Sequence, residues 1–216
     1  MDPSARRERL AAARLYVVTD ARESSDDLAP FLEAILSAGV DIVQLRQKDA
    51  EAGDLLRWSE TFRAAADRHG ALLVLNDRPD VARVAGADGV HVGQNDLPAQ
   101  AVRDLVGPEL LVGLSTHGEL QRRSAPPEVD YVCVGPVHAT PTKAGRPAIG
   151  LDPVREAAAG EGRPWFAIGG IDRTTLPDVV AAGARRIVVV RAVTEAPDPA
   201  EAVRALRLVL DRAGPA

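Results

Sequence analysis

The segment between Leu72 and Pro98 limits the choice of fold more than any other part of the chain. Two short apolar runs, 72–77 and 89–96, lie on either side of a short helical pattern that is closed by Gly86. A connection this short, with a helix inside it, joins parallel strands, so both strands end at the same edge of a sheet. Their last residues, Asp77 and Asp96, are therefore expected to lie side by side at that edge.

The same alternation of apolar runs and helical patterns continues along the whole sequence. Strands are predicted over 15–20, 41–49, 72–77, 89–96, 110–116, 131–137, 165–170 and 186–193. Helices are predicted over 27–38, 53–68, 80–88, 98–105, 118–124, 152–159, 174–182 and 198–211, after a polar N-terminal helix over 4–13. The pattern predicts an α/β protein, a (β/α)8 TIM barrel with an extra N-terminal helix, as a single domain over residues 1–216. A doubly wound open sheet is the alternative, but it normally carries a glycine-rich loop after the first strand, and residues 19–25 are not glycine-rich.

Charge and composition exclude several classes of protein. The formal net charge is −5 and the sequence has no cluster of basic residues, which argues against a nucleic-acid partner. No apolar run approaches the roughly 18 residues that a membrane span needs, and the N-terminal region does not have the pattern of a signal peptide. The one cysteine, Cys133, excludes an internal disulfide framework. A cytoplasmic enzyme or binding protein for small molecules, as a monomer or a homo-oligomer, fits these observations.

Polar residues collect where the predicted strands end, and in a TIM barrel these ends carry the chemistry. Asp77 and Asp96, with an Asn and a Gln beside them, form the oxygen-rich ligand set that Mg²⁺ prefers. Arg46 and Lys48 follow the second strand, Lys143 lies on a separate loop, and the three cations suit the oxygens of a diphosphate. A solvated, charged loop is the alternative interpretation of Arg46 and Lys48.

A second phosphate site is predicted at Gly169 and Gly170, ahead of a helix and next to the eighth strand, where many barrels bind a monophosphate through backbone N–H groups. Two phosphate sites at one barrel mouth suggest an enzyme that joins two phosphorylated substrates, with diphosphate as the leaving group. The histidines are less informative: His91 is either a core residue or part of the site, and His117 is equally open. No strand carries a His-x-His sequence, which sets a zinc hydrolase aside.

Several motifs resemble, in the same order, those of the thiamine-phosphate synthase family, a group of (β/α)8 enzymes. The resemblance covers residues 15–210 and rests on the segments YVVTD, VQLRQKD, NDRPDVARVAGADGVHVGQNDLP, GLSTH, VGPVHATPTKAG and AIGGI. It implies the condensation of 4-amino-2-methyl-5-hydroxymethylpyrimidine diphosphate with thiazole phosphate, or its carboxylated form. The products would be thiamine phosphate and diphosphate, with CO2 as well from the carboxylated thiazole.

The resemblance also implies roles for individual residues. The pyrimidine diphosphate would be bound by Gln44, Leu45, Arg46, Gln47, Lys48, Asn76, Ser115 and Lys143, of which Arg46, Ser115 and Lys143 would be catalytic. The thiazole phosphate would be bound by Thr140, Pro141, Thr142, Gly170, Val190 and Arg191. Asp77 and Asp96 would hold Mg²⁺ as the cofactor. Catalysis would rest on positioning and on stabilising the departing diphosphate, because the thiazole nitrogen attacks with a lone pair and no strong general base is needed.

Two residues depart from the family pattern: Gln47 stands where the family has Glu, and Arg191 stands where it usually has Ser. We expect Gln47 to face solvent, and Arg191 either to contact the thiazole phosphate or to turn towards Glu195. Residues 138–150, with Lys143 near their centre, are expected to form a lid over bound diphosphate. The alternative functions are a thiazole tautomerase of the same barrel family, which would not need the diphosphate-binding residues, and a non-catalytic protein that binds thiamine precursors.

Overall fold

The computed structural model describes residues 2–140 and 147–215. Its eight strands are β1 Leu15–Thr19, β2 Ile42–Leu45, β3 Leu72–Asn76, β4 Gly89–Val92, β5 Leu111–Thr116, β6 Tyr131–Val134, β7 Trp165–Ile168 and β8 Ile187–Val189. Consecutive strands pair in parallel, and β1 also pairs in parallel with β8, so the sheet closes on itself. The predicted (β/α)8 TIM barrel is therefore confirmed.

Helices alternate with the strands on the outside of the barrel. Those in the described residues are α1 Pro3–Ala12, α2 Leu28–Ser37, α3 Ala52–His69, α4 Pro79–Val84, α5 Ala99–Val106, α6 Glu119–Arg123, α7 Asp152–Gly160, α8 Leu176–Ala181, α9 Arg191–Thr194 and α10 Pro199–Arg212. Helix α1 is the extra N-terminal helix that the sequence predicts. Over the ranges 2–140 and 147–215, no helix is both long enough and apolar enough to cross a membrane.

The eighth strand is much shorter than its apolar pattern predicts. Residues 186–193 read as one strand, but β8 ends at Val189 and the chain turns at Val190, whose φ and ψ are −123° and −94°. The carbonyl of Val190 then accepts hydrogen bonds from the N–H groups of Val193 and Thr194, both at 3.0 Å. This turn moves Arg191 out of the strand and into the short helix α9.

Side chains of the strands form two separate cores. Because successive residues of a strand point to opposite faces, Tyr16 and Val18 of β1 point into the barrel, while Leu15 packs outward against the helices. The inner core contains the edge-to-face ring cluster of Tyr16, Tyr131 and Phe166, with ring centroids 5.6–6.2 Å apart. These rings fill the barrel below its mouth, so the interior is a packed core and not a channel.

Three aspartates stabilise the amino-terminal end of the barrel in the same way. Asp41, Asp88 and Asp130 directly precede β2, β4 and β6, and each accepts a backbone N–H from the strand before it, at 2.8–2.9 Å. Asp88 and Asp130 also pair with Arg6 and Arg7 of α1, at 3.0 and 3.1 Å. These ion pairs attach α1 to the end of the barrel where the strands begin, away from their carboxyl ends.

Candidate active site

A cavity of about 730 Å³ opens at the carboxyl ends of the strands. Parallel strands of a closed barrel all end at one rim, so residues that are distant in the sequence meet there. The wall includes nine residues that the sequence predicts for the site: Gln44, Arg46, Lys48, Asn76, Asp77, Asp96, Ser115, Val190 and Arg191. The volume is that of a small-molecule site.

Asp77 and Asp96 lie together on the cavity wall. Asp77 follows β3 with a φ of +60°, a rare conformation for a residue other than glycine, and its N–H donates to the carbonyl of His91 at 2.9 Å. Asp96 turns back to the end of β4, where its Oδ2 accepts the N–H of Gly93 at 2.8 Å. A Cβ on Gly93 would lie only 2.9 Å from that oxygen, so glycine permits this close approach.

Burial raises the pKa of Asp77, and the charge and hydrogen bonding of the Asp96 carboxylate raise it further. Two influences oppose the rise: Lys48 Nζ lies 3.5 Å from Asp77 Oδ2, and the amide of Asn76 donates to the same oxygen at 2.6 Å. Two like charges in one partly buried site destabilise each other unless a cation or a proton neutralises them. An oxygen donor set of this kind fits a hard divalent cation such as Mg²⁺.

The number of carboxylates also fits Mg²⁺ shared with a substrate. Within residues 2–140 and 147–215, no group of three or more acidic, His or Cys side chains could hold a metal ion. Proteins usually bind Mg²⁺ through one or two carboxylates, and substrate phosphates and water complete the coordination. The Asp77–Asp96 pair is therefore suited to a cation that arrives with a phosphorylated ligand.

The segment after β2 divides its residues between the cavity and the surrounding structure. Arg46 and Lys48 face the cavity, and the N–H of Arg46 donates to the carbonyl of Thr19 at 2.9 Å. Leu45 is 1% exposed and packs in the outer core, away from the cavity wall. Gln47, expected to face solvent, is half-buried, and its Oε1 accepts the N–H of Ala21 at 3.3 Å. Gln47 thus holds the loop after β1 in place.

A chain of hydrogen bonds runs through the buried floor of the cavity. The Gln44 amide donates to the Tyr16 hydroxyl, which lies 3.2 Å from the Tyr131 hydroxyl. The Tyr131 hydroxyl lies 3.3 Å from His91 Nδ1, and His91 Nε2 lies 2.9 Å from Ser115 Oγ. All five side chains are buried. His91, whose place the sequence left open, and Tyr16 line the cavity, and Tyr131 lies behind them in the inner core.

A second cavity, of about 340 Å³, adjoins the first and shares Ser115 with it. Its wall includes the predicted thiazole-phosphate residues Thr140, Gly170, Val190 and Arg191. Gly170 has a φ of +60°, and a Cβ there would lie 2.7 Å from the Cβ of His138. Only glycine therefore allows the end of β7 to pack so closely against the loop after β6.

Arg191 turns towards Glu195, one of the two orientations that the sequence allowed. Its Nη1 lies 4.0 Å from Glu195 Oε2, and the two side chains are 43% and 64% exposed. An exposed ion pair at this distance contributes little, so it does not hold the guanidinium firmly. Arg191 also lines both cavities, so its side chain would face an anion bound in either of them.

Three predicted residues lie outside the part of the chain that the structure describes. They are Pro141, Thr142 and Lys143, and the centre of the predicted lid, 138–150, lies outside with them. His117, whose role the sequence left open, lines both cavities, and its Nδ1 lies 2.6 Å from the carbonyl oxygen of Gly135.

The sequence interpretation missed the contribution of the first strand and its loop. Tyr16, Asp20, Arg22, Ser24 and Ser25 all line the larger cavity. Arg22 binds Asp27 through two hydrogen bonds, at 2.6 and 2.8 Å, and donates to the carbonyl of Thr194 at 3.2 Å. This ties the first loop to α9 across the rim. The sequence pattern that could have identified these residues is the same as at the other strand ends, namely polar residues directly after an apolar run.

Known proteins that resemble this chain in sequence and in structure include members of one enzyme family. The family model for thiamine monophosphate synthase matches residues 15–193. The thiamine-phosphate synthase of Acidothermus cellulolyticus is 56% identical over 196 residues, which cover 89% of this chain and 92% of that protein. The corresponding synthase of Mycolicibacterium smegmatis is 51% identical over 218 residues, with 96% of each chain covered. The structure of thiamine phosphate pyrophosphorylase from Pyrococcus furiosus superposes with a TM-score of 0.85 at 29% identity, over 95% of this chain and 98% of that one. The chain therefore belongs to the thiamine monophosphate synthase family.

Proposed function

We propose that the protein is a thiamine-phosphate synthase, a transferase that joins 4-amino-2-methyl-5-hydroxymethylpyrimidine diphosphate to thiazole phosphate. The products are thiamine phosphate and diphosphate. Family membership over most of the chain supports this function. One observation assigns this function to the larger cavity. Two cations, Arg46 and Lys48, and two carboxylates, Asp77 and Asp96, lie on the same cavity wall.

Arg46 and Lys48 bind the diphosphate oxygens in this proposal, together with Lys143. Arginine offers a planar set of donors for two oxygens at once, and lysine adds a compact charge. Lys48 is 53% exposed and already lies 3.5 Å from Asp77, so it can respond to a ligand without a rearrangement of the core. Gln44, Asn76 and Ser115 orient the organic part of the substrate from the cavity wall.

Asp77 and Asp96 are the residues that would hold Mg²⁺. When bound, Mg²⁺ would neutralise part of the negative charge that develops on the leaving diphosphate. The carboxylates themselves keep this part of the wall negative, which disfavours entry of a diphosphate that arrives without a cation.

Bond formation needs little acid–base chemistry from the chain. The diphosphate leaves as the carbon–oxygen bond breaks, and the pyrimidine ring, with its amino group, stabilises the cationic methylene carbon. The lone pair of the thiazole nitrogen then forms the new carbon–nitrogen bond. The chain contributes position and charge: both substrates are held at one mouth, and cations meet the departing oxygens.

The smaller cavity suits the thiazole phosphate. Gly170, Val190 and Arg191 lie on its wall, and it opens into the larger cavity beside Ser115. Two phosphorylated molecules bound in adjoining cavities would meet at their reactive ends. A thiazole tautomerase would need only the smaller cavity, so the diphosphate-binding wall of the larger one argues against that alternative.

The test is a synthase assay with both phosphorylated substrates and Mg²⁺. Thiamine phosphate and diphosphate should form in equal amounts, and omission of the pyrimidine diphosphate should abolish both. Arg46→Ala should lower turnover strongly, whereas Arg57→Ala, an exposed arginine on α3, should behave as the wild type. Failure to form thiamine phosphate from either thiazole phosphate or its carboxylated form would overturn the proposal.

A further inference from the structure

Helix α9 and the residues after it form a wall of the smaller cavity, but the helix is too short to be stable by itself. It is a single turn, Arg191–Thr194, and isolated helices shorter than about 12 residues are marginal in water. Val193 is fully buried in the outer core and anchors one side of the turn. The residues that line the cavity from this segment are Arg191, Ala192, Glu195 and Ala196. Their positions therefore depend on what holds the rest of the turn.

Arg22, in the loop after β1, makes a second contact with this helix. Its Nη1 donates to the carbonyl of Thr194, the last residue of α9, at 3.2 Å. Its Nε and Nη2 donate to the two carboxylate oxygens of Asp27, at 2.6 and 2.8 Å. The guanidinium also lies over the Phe31 ring, with Cζ 4.0 Å from the ring centroid. One planar group therefore joins a carboxylate, an aromatic ring and the end of α9.

The backbone of the loop fixes the position from which Arg22 reaches α9. Arg22 has a φ of +53°, which lies in the left-handed region that residues other than glycine rarely adopt. Its N–H donates to Asp20 Oδ1 at 3.0 Å, and its carbonyl accepts the N–H groups of Ser25 and Asp26, both at 3.0 Å. A strained conformation of this kind persists where the surrounding structure holds it in place.

Arg22 is better suited to join segments of the protein than to bind a ligand directly. It lies on the wall of the larger cavity, as Arg46 and Lys48 do. However, its charge is paired with Asp27, and the hydrogen bonds from Arg22 lower the pKa of that carboxyl group. The side chain is only 12% exposed, since the ring and the carboxylate cover it. Its main contacts are therefore with the protein itself.

We propose that Arg22 is a positioning residue for the smaller cavity. It holds the end of α9 against the loop after β1, and so keeps Arg191 and Glu195 in place on the cavity wall. The ligand whose binding it supports is thiazole phosphate. This choice of ligand rests on the proposed function, but the attachment of α9 by Arg22 does not.

The first test measures hydrogen exchange by mass spectrometry in the full-length protein without substrate. Arg22→Gln removes the guanidinium, so the N–H groups that donate to the carbonyls of Val190 and Arg191 should exchange faster. Peptides from α10 should exchange as in the wild type. Arg78→Gln is the matched control, because Arg78 also follows a strand and binds a nearby carboxylate, Asp80, through two hydrogen bonds, at 2.9 and 2.7 Å. This control should leave exchange in α9 unchanged.

Arg22→Lys tests whether the planar guanidinium is needed, and it keeps the positive charge in case Arg22→Gln does not fold. A single ammonium group can pair with Asp27 but cannot also reproduce the bond to Thr194, so exchange in α9 should again be faster than in the wild type. Wild-type exchange in either Arg22 variant would overturn the proposal. These results do not depend on enzymatic activity, so they separate a failure of this inference from a failure of the proposed function.

The second test measures both Michaelis constants in the synthase assay. Arg22→Gln should raise KM for thiazole phosphate about tenfold, the upper range for one hydrogen bond, and change KM for the pyrimidine diphosphate by less than about twofold. Arg78→Gln should change neither constant. A rise for the pyrimidine diphosphate alone would make Arg22 a direct ligand of the diphosphate and overturn the proposal. Equal rises in both constants would indicate a general loosening of the rim and would overturn it as well.

Discussion

Replacement of Asp88 by alanine should destabilise the barrel by a large and measurable amount. Asp88 is 2% exposed and accepts three hydrogen bonds: from Arg63 at 2.6 Å, from Leu73 N–H at 2.9 Å and from Arg6 at 3.0 Å. Alanine would remove this acceptor from two guanidinium groups and from one backbone N–H. Removal of one partner from a buried ion pair costs about 3–5 kcal/mol.

The lower end of that range applies here. Arg6 and Arg63 keep 12% and 19% of their side-chain exposure, so water can partly replace the lost carboxylate. We therefore expect a loss of about 3 kcal/mol in the free energy of unfolding. For a chain of this size each kcal/mol lowers Tm by roughly 2–4 °C, so Tm should fall by about 6–12 °C.

Arg63 supplies a matched control, because it also pairs with Asp67 at 2.8 Å. Asp67 is 65% exposed, and Asp67→Ala should change the free energy of unfolding by less than about 0.5 kcal/mol. Both variants and the wild type are compared by urea and thermal unfolding, followed by circular dichroism. Equal losses from Asp67→Ala and Asp88→Ala would refute the view that burial determines the strength of these pairs.

Three further predictions concern the site and the acid stability. Asp77→Ala should lower turnover by about 10²-fold, and EDTA should abolish activity until Mg²⁺ is restored; full activity in EDTA would contradict a metal-assisted reaction. Arg191→Ser should weaken thiazole-phosphate binding about tenfold, or 1.4 kcal/mol, in a KM measurement, and an unchanged KM would make Arg191 a bystander. Burial alone would raise the pKa of Glu161, but hydrogen bonds from Arg163 and Arg122 outweigh it and lower the pKa below its usual 4.5. The stability that Glu161 contributes is therefore present above pH 4.5 and lost as the pH falls through the lowered pKa. Glu161→Gln should be less stable than the wild type near neutral pH in urea unfolding, and the difference should shrink in acid; a constant difference would count against the linkage.

The order of the elements and the closure of the barrel were predictable from the sequence. Apolar runs that alternate with helical patterns favour parallel strands, because a crossover that contains a helix is the usual connection between them. The same rule predicts from the sequence that Asp77 and Asp96 lie together at one edge of the sheet. Strand lengths were less predictable: an apolar pattern continues past β8, but the backbone turn at Val190 ends the strand there.

The contacts among the buried side chains at the floor of the cavity could not be predicted from the sequence, because they depend on tertiary structure. Tyr16, His91 and Tyr131 come from strands far apart in the sequence, and each sits in an apolar run that reads as ordinary core. They meet only because the closed sheet turns alternate residues of every strand inward to one axis. The loop after β1 is a similar case, since its contact with α9 through Arg22 joins the first and last parts of the barrel. Periodicity determines which side of a strand a residue occupies, but closure of the sheet determines which inward residues touch.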